Sequence, residues 1–438
     1  MRERPSVCYA APGHVLLGTS GTTRNILSLA KALSRWADVT VAFRSIREPV
    51  KFDKFKVIAI ESEFESGPEI KDDVAARGFN VFAHLAYLRK LLSFSKQSAN
   101  SYDFVFEKGW RLSGFLSSAF RRHGVPAVVV ENDVRHWSEP IGNVRAMAKY
   151  VVHSLAQCLA GFCSRRVPMV IAETEELKSM LVAKRDIAPD CIEVVELGVD
   201  HNLFRPLSQS SCRNVLGIEP DAFVLLYVGS MDTYHDLDPL IEALAQIKVP
   251  SLEVHLIGDG EHRSRYEATA KRAQTPIRFH GYVSDHRVPE FIQAADLCIA
   301  PYRVTAFPNN SVSFSTLKIP EYMACGRPVV SVPSGHIKKL VQHQVSGFLF
   351  PNDVASWVKF LMTLPSRERL KEMGAAAARA VESMTWEKTA ARYLEVCQKL
   401  TARQPPPVNT RLDCDQCPSP TGIERGEKDA QHKSGILE

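Results

Sequence analysis

An α/β architecture of two doubly wound parallel sheets is predicted by three features of this sequence. Short, nearly continuous apolar runs alternate with helical patterns along most of the chain, as strands covered on both faces by helices do. At 438 residues the chain exceeds what one hydrophobic core organises, so about two to three domains are expected. Between Asp200 and Gly217 the periodicity stops, and a strong strand pattern restarts just after it, which marks a boundary between two halves of similar architecture.

The elements follow in order. Strand patterns in the first half are Ser6–Ala10, Val39–Phe43, Lys56–Ile60, Phe104–Phe106, Ala127–Val130, Met169–Ala172 and Ile192–Val195. In the second half they are Val224–Val228, Glu253–Ile257, Ile277–His280, Leu297–Ala300, Val329–Val332 and Gly347–Phe350. His201 to Pro206 leads into the polar stretch Ser208–Asn214, where no periodic element is expected. Trp386, Tyr393, Leu394 and Cys397 stand at helical spacing and predict a final helix over 386–400. From Ala402 the chain turns to Pro405-Pro406-Pro407 and then polar residues; too little apolar surface remains there to offset ordering, so a disordered tail over 402–438 is expected.

Composition narrows the function classes. Apolar residues at 45% and charged residues at 24% are ordinary for a globular chain and exclude a fibrous, wholly disordered or polytopic membrane protein. Lys and Arg total 54 against 49 Asp and Glu, a net charge of +5, so no nucleic-acid partner is expected. No run approaches the ~18 apolar residues of a membrane span. Met1-Arg2-Glu3-Arg4 is followed by Pro12, Gly13 and His14 rather than by an apolar signal core, so a cytoplasmic location is expected. The ten cysteines sit mostly in apolar runs and read as buried thiols. Cys414 and Cys417 form one C-x-x-C without a second pair at zinc spacing, and no metal is expected.

The chemistry concentrates between Pro308 and Pro333. The segment Leu317-Lys318-Ile319-Pro320-Glu321-Tyr322-Met323-Ala324-Cys325-Gly326 reads as a helix ended by glycine. Pro320 fits only the first turn, which predicts a start near Ser315 or Thr316 with either as N-cap. Lys318 and Glu321 then share one face. Backbone amides around Thr316–Ile319, the dipole and an ammonium would converge on an anion such as a pyrophosphate, and Glu321 would accept hydrogen bonds from vicinal hydroxyls such as those of a ribose. A solvated lysine and a dipole-neutralising glutamate are the plainer reading.

Three strand ends carry glycines that would let a ligand approach the main chain: Gly229-Ser230, Gly258-Asp259-Gly260 and Gly281-Tyr282-Val283. Each is equally an ordinary turn. Gly18-Thr19-Ser20-Gly21 follows the first strand and precedes a helical pattern. It is neither G-x-G-x-x-G nor a P-loop, which disfavours nicotinamide or ATP chemistry.

In combination these pieces resemble the retaining glycosyltransferases of family 4, the glycosyl transferases group 1, which have the two-domain GT-B fold. Gly198-Val199-Asp200 with Phe204 and Pro206 is similar to the family's interdomain segment, and Val228-Gly229 with Leu240-Ile241-Glu242-Ala243-Leu244 to its "VG…LIEAL" unit. Ile257-Gly258-Asp259-Gly260, Phe279-His280-Gly281-Tyr282-Val283, Ala294-Ala295-Asp296 and Glu321-Tyr322-Met323-Ala324-Cys325-Gly326-Arg327-Pro328 complete the set. The likeness is strong over about 190–400 and looser before it.

The resemblance implies an acceptor-side domain over 1–204, a nucleotide-sugar donor domain over 205–384 and a helix over 385–401 returning to the first. It implies transfer of a hexosyl group from a UDP- or GDP-sugar to an unidentified acceptor, with retention and without a metal. Glu321 corresponds to the second glutamate of the family's E-x7-E and is expected on the ribose, and Lys318 on the diphosphate. Ser315, Thr316 and Leu317 would offer amides to the same group, Tyr282 and Val283 main-chain groups to the base, and Gly21 would approach from the opposing domain. Ser313 stands where the first glutamate belongs, the position that meets the donor sugar. Ser230 and His235 stand where the family carries basic residues, so His235 is a candidate phosphate ligand with an ordinary loop histidine as the competing reading. His136 is a candidate on the catalytic side, read from Glu131–His136.

Two alternatives stay open: a catalytically silent sugar-nucleotide-binding protein and a sugar-nucleotide epimerase on the same scaffold. Arg145, Lys149, Arg165 and Arg166 around an apolar stripe in 144–166 fit a peripheral membrane contact, with a core-facing helix as the competing reading.

Overall fold

A computed structural model describes residues 4–16, 21–47, 52–62, 81–133, 154–155 and 158–402. His136, Cys414, Cys417 and the expected tail from residue 403 lie outside the described residues, as does most of 144–157.

Among the described residues thirteen strands form where the apolar runs predict them. The first seven are β1 (Ser6–Leu16), β2 (Asp38–Ile46), β3 (Lys56–Ser62), β4 (Phe104–Lys108), β5 (Ala127–Glu131), β6 (Val170–Ala172) and β7 (Ile192–Val194). They make one sheet in the order β3-β2-β1-β4-β5-β6-β7, every pairing parallel. The others are β8 (Phe223–Val228), β9 (Leu252–Ile257), β10 (Ile277–Gly281), β11 (Leu297–Ala300), β12 (Val329–Ser331) and β13 (Gly347–Leu349). They make a second parallel sheet in the order β10-β9-β8-β11-β12-β13. The predicted pair of doubly wound sheets is therefore what the chain forms. In each sheet the order reverses once, between β1 and β4 and between β8 and β11, and such reversals open a crevice at the strands' carboxyl ends.

One expectation fails at the junction. The stretch 208–214 is not irregular: Gln209–Leu216 is a helix, capped by the Ser208 hydroxyl accepting from Ser211 N at 3.3 Å and ended by Gly217 at φ 64°. Its inward face is not apolar throughout, which hid it. Arg213 is buried and pairs with Asp296 at 2.8 Å, and Asp296 also accepts from Val224 N. The aspartate of Ala294-Ala295-Asp296 thus ties the junction helix to β8.

The final helix, Trp386–Ala402, packs Trp386, Tyr393, Cys397 and Leu400 into the apolar core of the first sheet, with Tyr9 and Phe106. The chain crosses between sheets twice, and the crossings touch: Val199 N donates to Met384 O at 3.0 Å, and Val199 bridges Thr385. Gly198 permits this, since a Cβ there would lie 2.3 Å from Trp386 N. Among the described residues no helix is long and apolar enough to cross a membrane.

Candidate functional site

The loops after β8 and β11 meet at the order reversal of the second sheet, and they carry the singled-out residues. The helix Lys318–Ala324 starts later than predicted and has seven residues. Pro320 is its third residue, still within the first turn, where amides have no intrahelical partner. Neither Ser315 nor Thr316 caps it. The Thr316 hydroxyl instead accepts from Tyr302 OH at 2.8 Å, and the Ser315 hydroxyl is buried without a protein partner. Tyr322 fixes the helix to β8, accepting from Val228 N at 2.8 Å and donating to Val228 O at 3.2 Å.

Lys318 projects from this helix over the ring of Tyr227, with Nζ 4.4 Å from the centroid and donating to the Tyr227 hydroxyl at 3.2 Å. Gly229 makes the room. It lies at φ +148°, and a Cβ there would stand 2.4 Å from Lys318 Nζ. Burial pulls the Lys318 ammonium down to about 7, with Arg24 adding to the effect and Asp232 and Glu321 opposing it. Glu321 is buried and is pushed up to about 7 by that burial, against the pull of Arg24 and Lys318. A half-buried ammonium and a buried carboxylate thus influence one another's titration in one cluster, a combination that accumulates at binding and catalytic sites.

His235 joins this cluster. Its Nδ1 lies 2.8 Å from Asp232 Oδ1 and 3.3 Å from Ser230 Oγ. Burial and the Lys318 charge take it down to about 4 in spite of Asp232, so at neutral pH it adds no positive charge. Burial pushes Asp232 up, but hydrogen bonds from His235, Ser230 and the Tyr234 amide outweigh it and hold the carboxylate well below its usual range. Ser230 is exposed and donates to Asp232 Oδ2 at 2.7 Å.

The other strand ends lie alongside. Gly258 N donates to Gly281 O at 2.7 Å and Met231 N to Asp259 O at 2.9 Å, which locks the loops after β8, β9 and β10 together. The Asp259 carboxylate is turned away, accepting from Gly260 N and lying 3.6 Å from Arg263. Tyr282 is exposed, and Val283 packs on the core of the second sheet. Ser313 is fully buried; its carbonyl accepts from the Thr174 hydroxyl of the first sheet's side, and its own hydroxyl has no protein partner. Leu317 is half-buried and packs against the apolar core of the first sheet.

The sequence reading missed Arg24. This residue lies in the first turn of the helix Gly21–Leu33, three residues past Gly21. Its Nη2 reaches the Glu321 carboxylate at 3.1 Å, and its Nη1 lies 3.4 Å from Asp285. Its position beside the glycine loop was the available signal. A cavity of about 310 Å³ opens beside that helix, lined by Arg24, Lys31, Phe52, His201, Asp285 and Trp386 among others. It shares Arg24 and Asp285 with the cluster but not Lys318 or Glu321. Among the described residues no group of His, Cys, Asp and Glu is arranged to hold a metal ion.

Residues 222–366 match the family described as Glycosyl transferases group 1. A D-inositol 3-phosphate glycosyltransferase of Thermomonospora curvata is 32% identical over 248 residues, 52% of this chain and 56% of that protein. The chain spans about half the length of such curated relatives. Among solved structures, sucrose-phosphate synthase from Thermosynechococcus elongatus superposes with a TM-score of 0.70 at 18% identity, over 91% of this chain and 100% of that one. Anabaena HepE, solved with UDP and glucose, gives 0.68 at 18% identity over 90% and 100%. The chain has the GT-B fold, and the part of it spanning residues 222–366 is similar to the glycosyl transferases of group 1.

Proposed function

We propose that the protein is a retaining glycosyltransferase that moves a hexosyl group from a UDP- or GDP-sugar to an acceptor without a metal. The observation that carries this reading is the meeting of Lys318 and Glu321 at the order reversal of the second sheet, opposite the space left by Gly229. In it, Lys318 faces the diphosphate and stabilises it as it departs, its charge strengthened by exclusion of water. Helix Lys318–Ala324 is short, so the ammonium rather than the dipole carries most of this. Glu321 accepts from the ribose hydroxyls and Tyr227 orients the ammonium. The sequence offers no evident protein nucleophile, so two-carboxylate glycosidase chemistry is not invoked. That Anabaena HepE was solved with UDP and glucose and with UDP-glucose supports a uridine donor among the two.

Calorimetry with UDP and GDP, followed by nucleotide release from UDP-hexoses and GDP-mannose with EDTA present, tests the reading. One nucleotide should bind, and its sugar should be transferred when a matching acceptor is supplied. Absence of binding by either contradicts the reading, and loss of turnover in EDTA contradicts metal independence. Ser313 motivates the silent-binder alternative, which predicts binding without release.

Gly229→Ala should weaken nucleotide binding by about tenfold or more, because the added methyl displaces Lys318 Nζ and strains the backbone. Unchanged affinity in a folded variant would remove Lys318 from the nucleotide site.

A further inference from the structure

Arg24 sits where the bound ribose is placed by the proposed function. Its guanidinium crosses from the first sheet's side to hold Glu321 Oε1 and Oε2, each at 3.1 Å from Nη2, and Asp285 at 3.4 Å. The contact links residues 297 apart in sequence. Its Nε is buried without a partner, so one donor remains unused in this arrangement, and a buried unused donor is costly.

The charge balance sharpens the point. Glu321, Asp285 and Asp232 are the anions of the cluster, and the cations bearing on Glu321 are Arg24 and Lys318. Ser230 and His235 add no charge where the family resemblance leads one to expect basic residues. A nucleoside diphosphate brings at least two further negative charges, more than one ammonium balances in a site shielded from water. A guanidinium presents a planar fork suited to phosphate oxygens, and carboxylate and phosphate are exchangeable partners for it.

We propose that Arg24 is a diphosphate-binding residue supplied from the first sheet's side, and that Glu321 holds it in place until a nucleoside diphosphate arrives. This rests on the proposed function and deepens it. Binding is then a partner exchange: ribose hydroxyls replace Arg24 on Glu321, and Arg24 turns its fork to the phosphates while Asp285 stays beside it. The same residue therefore opposes a bare nucleoside and favours its diphosphate.

That opposition of sign gives the test. Calorimetry at pH 8.5, where Glu321 is ionised, compares UDP with uridine and GDP with guanosine on the full chain, Arg24→Ala and Arg24→Lys. Arg24→Ala should weaken the diphosphate about tenfold or more while leaving the nucleoside equal or tighter, and Arg24→Lys should recover part of the loss. Thermal midpoints establish that the variants are folded. Parallel weakening of nucleoside and diphosphate would make Arg24 merely structural and overturn the proposal, as would an unchanged diphosphate affinity. If the unaltered protein binds none of the four ligands, the proposed function itself fails.

Discussion

Lys318→Met should abolish most nucleotide affinity and, at the same time, make the empty protein more stable at neutral pH. Both effects come from one cause. Burial depresses this ammonium from an ordinary value of 10.5 to about 7, so the charged form is favoured more in the unfolded chain than in the folded one. A group with a depressed folded pKa contributes stability above its unfolded value and loses it as pH falls through the folded one. The penalty therefore begins below about pH 10.5 and is complete below about pH 7. Lys318 is half-buried by access to solvent, so screening reduces the cost to about 1–3 kcal/mol. Methionine removes it, and the thermal midpoint measured at pH 7 should rise. Under the proposed function a diphosphate should recharge the lysine: at pH 8.5 binding should take up close to one proton in the unaltered protein and none in the variant, read from calorimetry in buffers of different ionisation enthalpy. Equal proton uptake in both would place the diphosphate elsewhere.

Lys108→Met should destabilise the protein by about 3–5 kcal/mol. Lys108 ends β4 and is fully buried, its Nζ 2.7 Å from Glu173 Oε1. Burial pulls the ammonium down, but Glu173, Tyr9 and Glu131 outweigh it and raise it above its ordinary value, so it stays charged. Without it the buried Glu173 carboxylate keeps the Asn25 amide at 3.4 Å but loses its ion pair. Lys108→Met combined with Glu173→Leu should recover most of the loss, since neither charge is then left alone. Denaturant midpoints of the single and double variants decide this. A single variant as stable as the unaltered protein would show that water reaches the pair.

The strands were legible because parallel strands covered on both faces are written as local apolar runs between turn residues, and local patterns survive without knowledge of the fold. Lys318 and Glu321 were legible for a similar reason, since three residues on a short helix decide that they share a face. What escaped was nonlocal. Arg213 reads as a solvent-facing residue until Asp296 is brought to it, so the helix Gln209–Leu216 looked like a linker. Arg24 reads as one polar position of an amphipathic helix until the second sheet places Glu321 opposite. The need for glycine at 229 was legible as close approach, but the approaching group is the lysine of this same chain. Ser315 and Thr316 were credible caps by type; the Tyr302 hydroxyl claimed Thr316 from across the loop.

A crystal structure of the protein with UDP, or with GDP if calorimetry favours it, tests the central claim most directly. The account predicts the ribose hydroxyls on Glu321, the diphosphate within hydrogen-bond reach of Lys318 Nζ, and the contact between Arg24 and Glu321 broken. A nucleotide lodged in the cavity beside Lys31 and His201, with Arg24 still on Glu321, would contradict it.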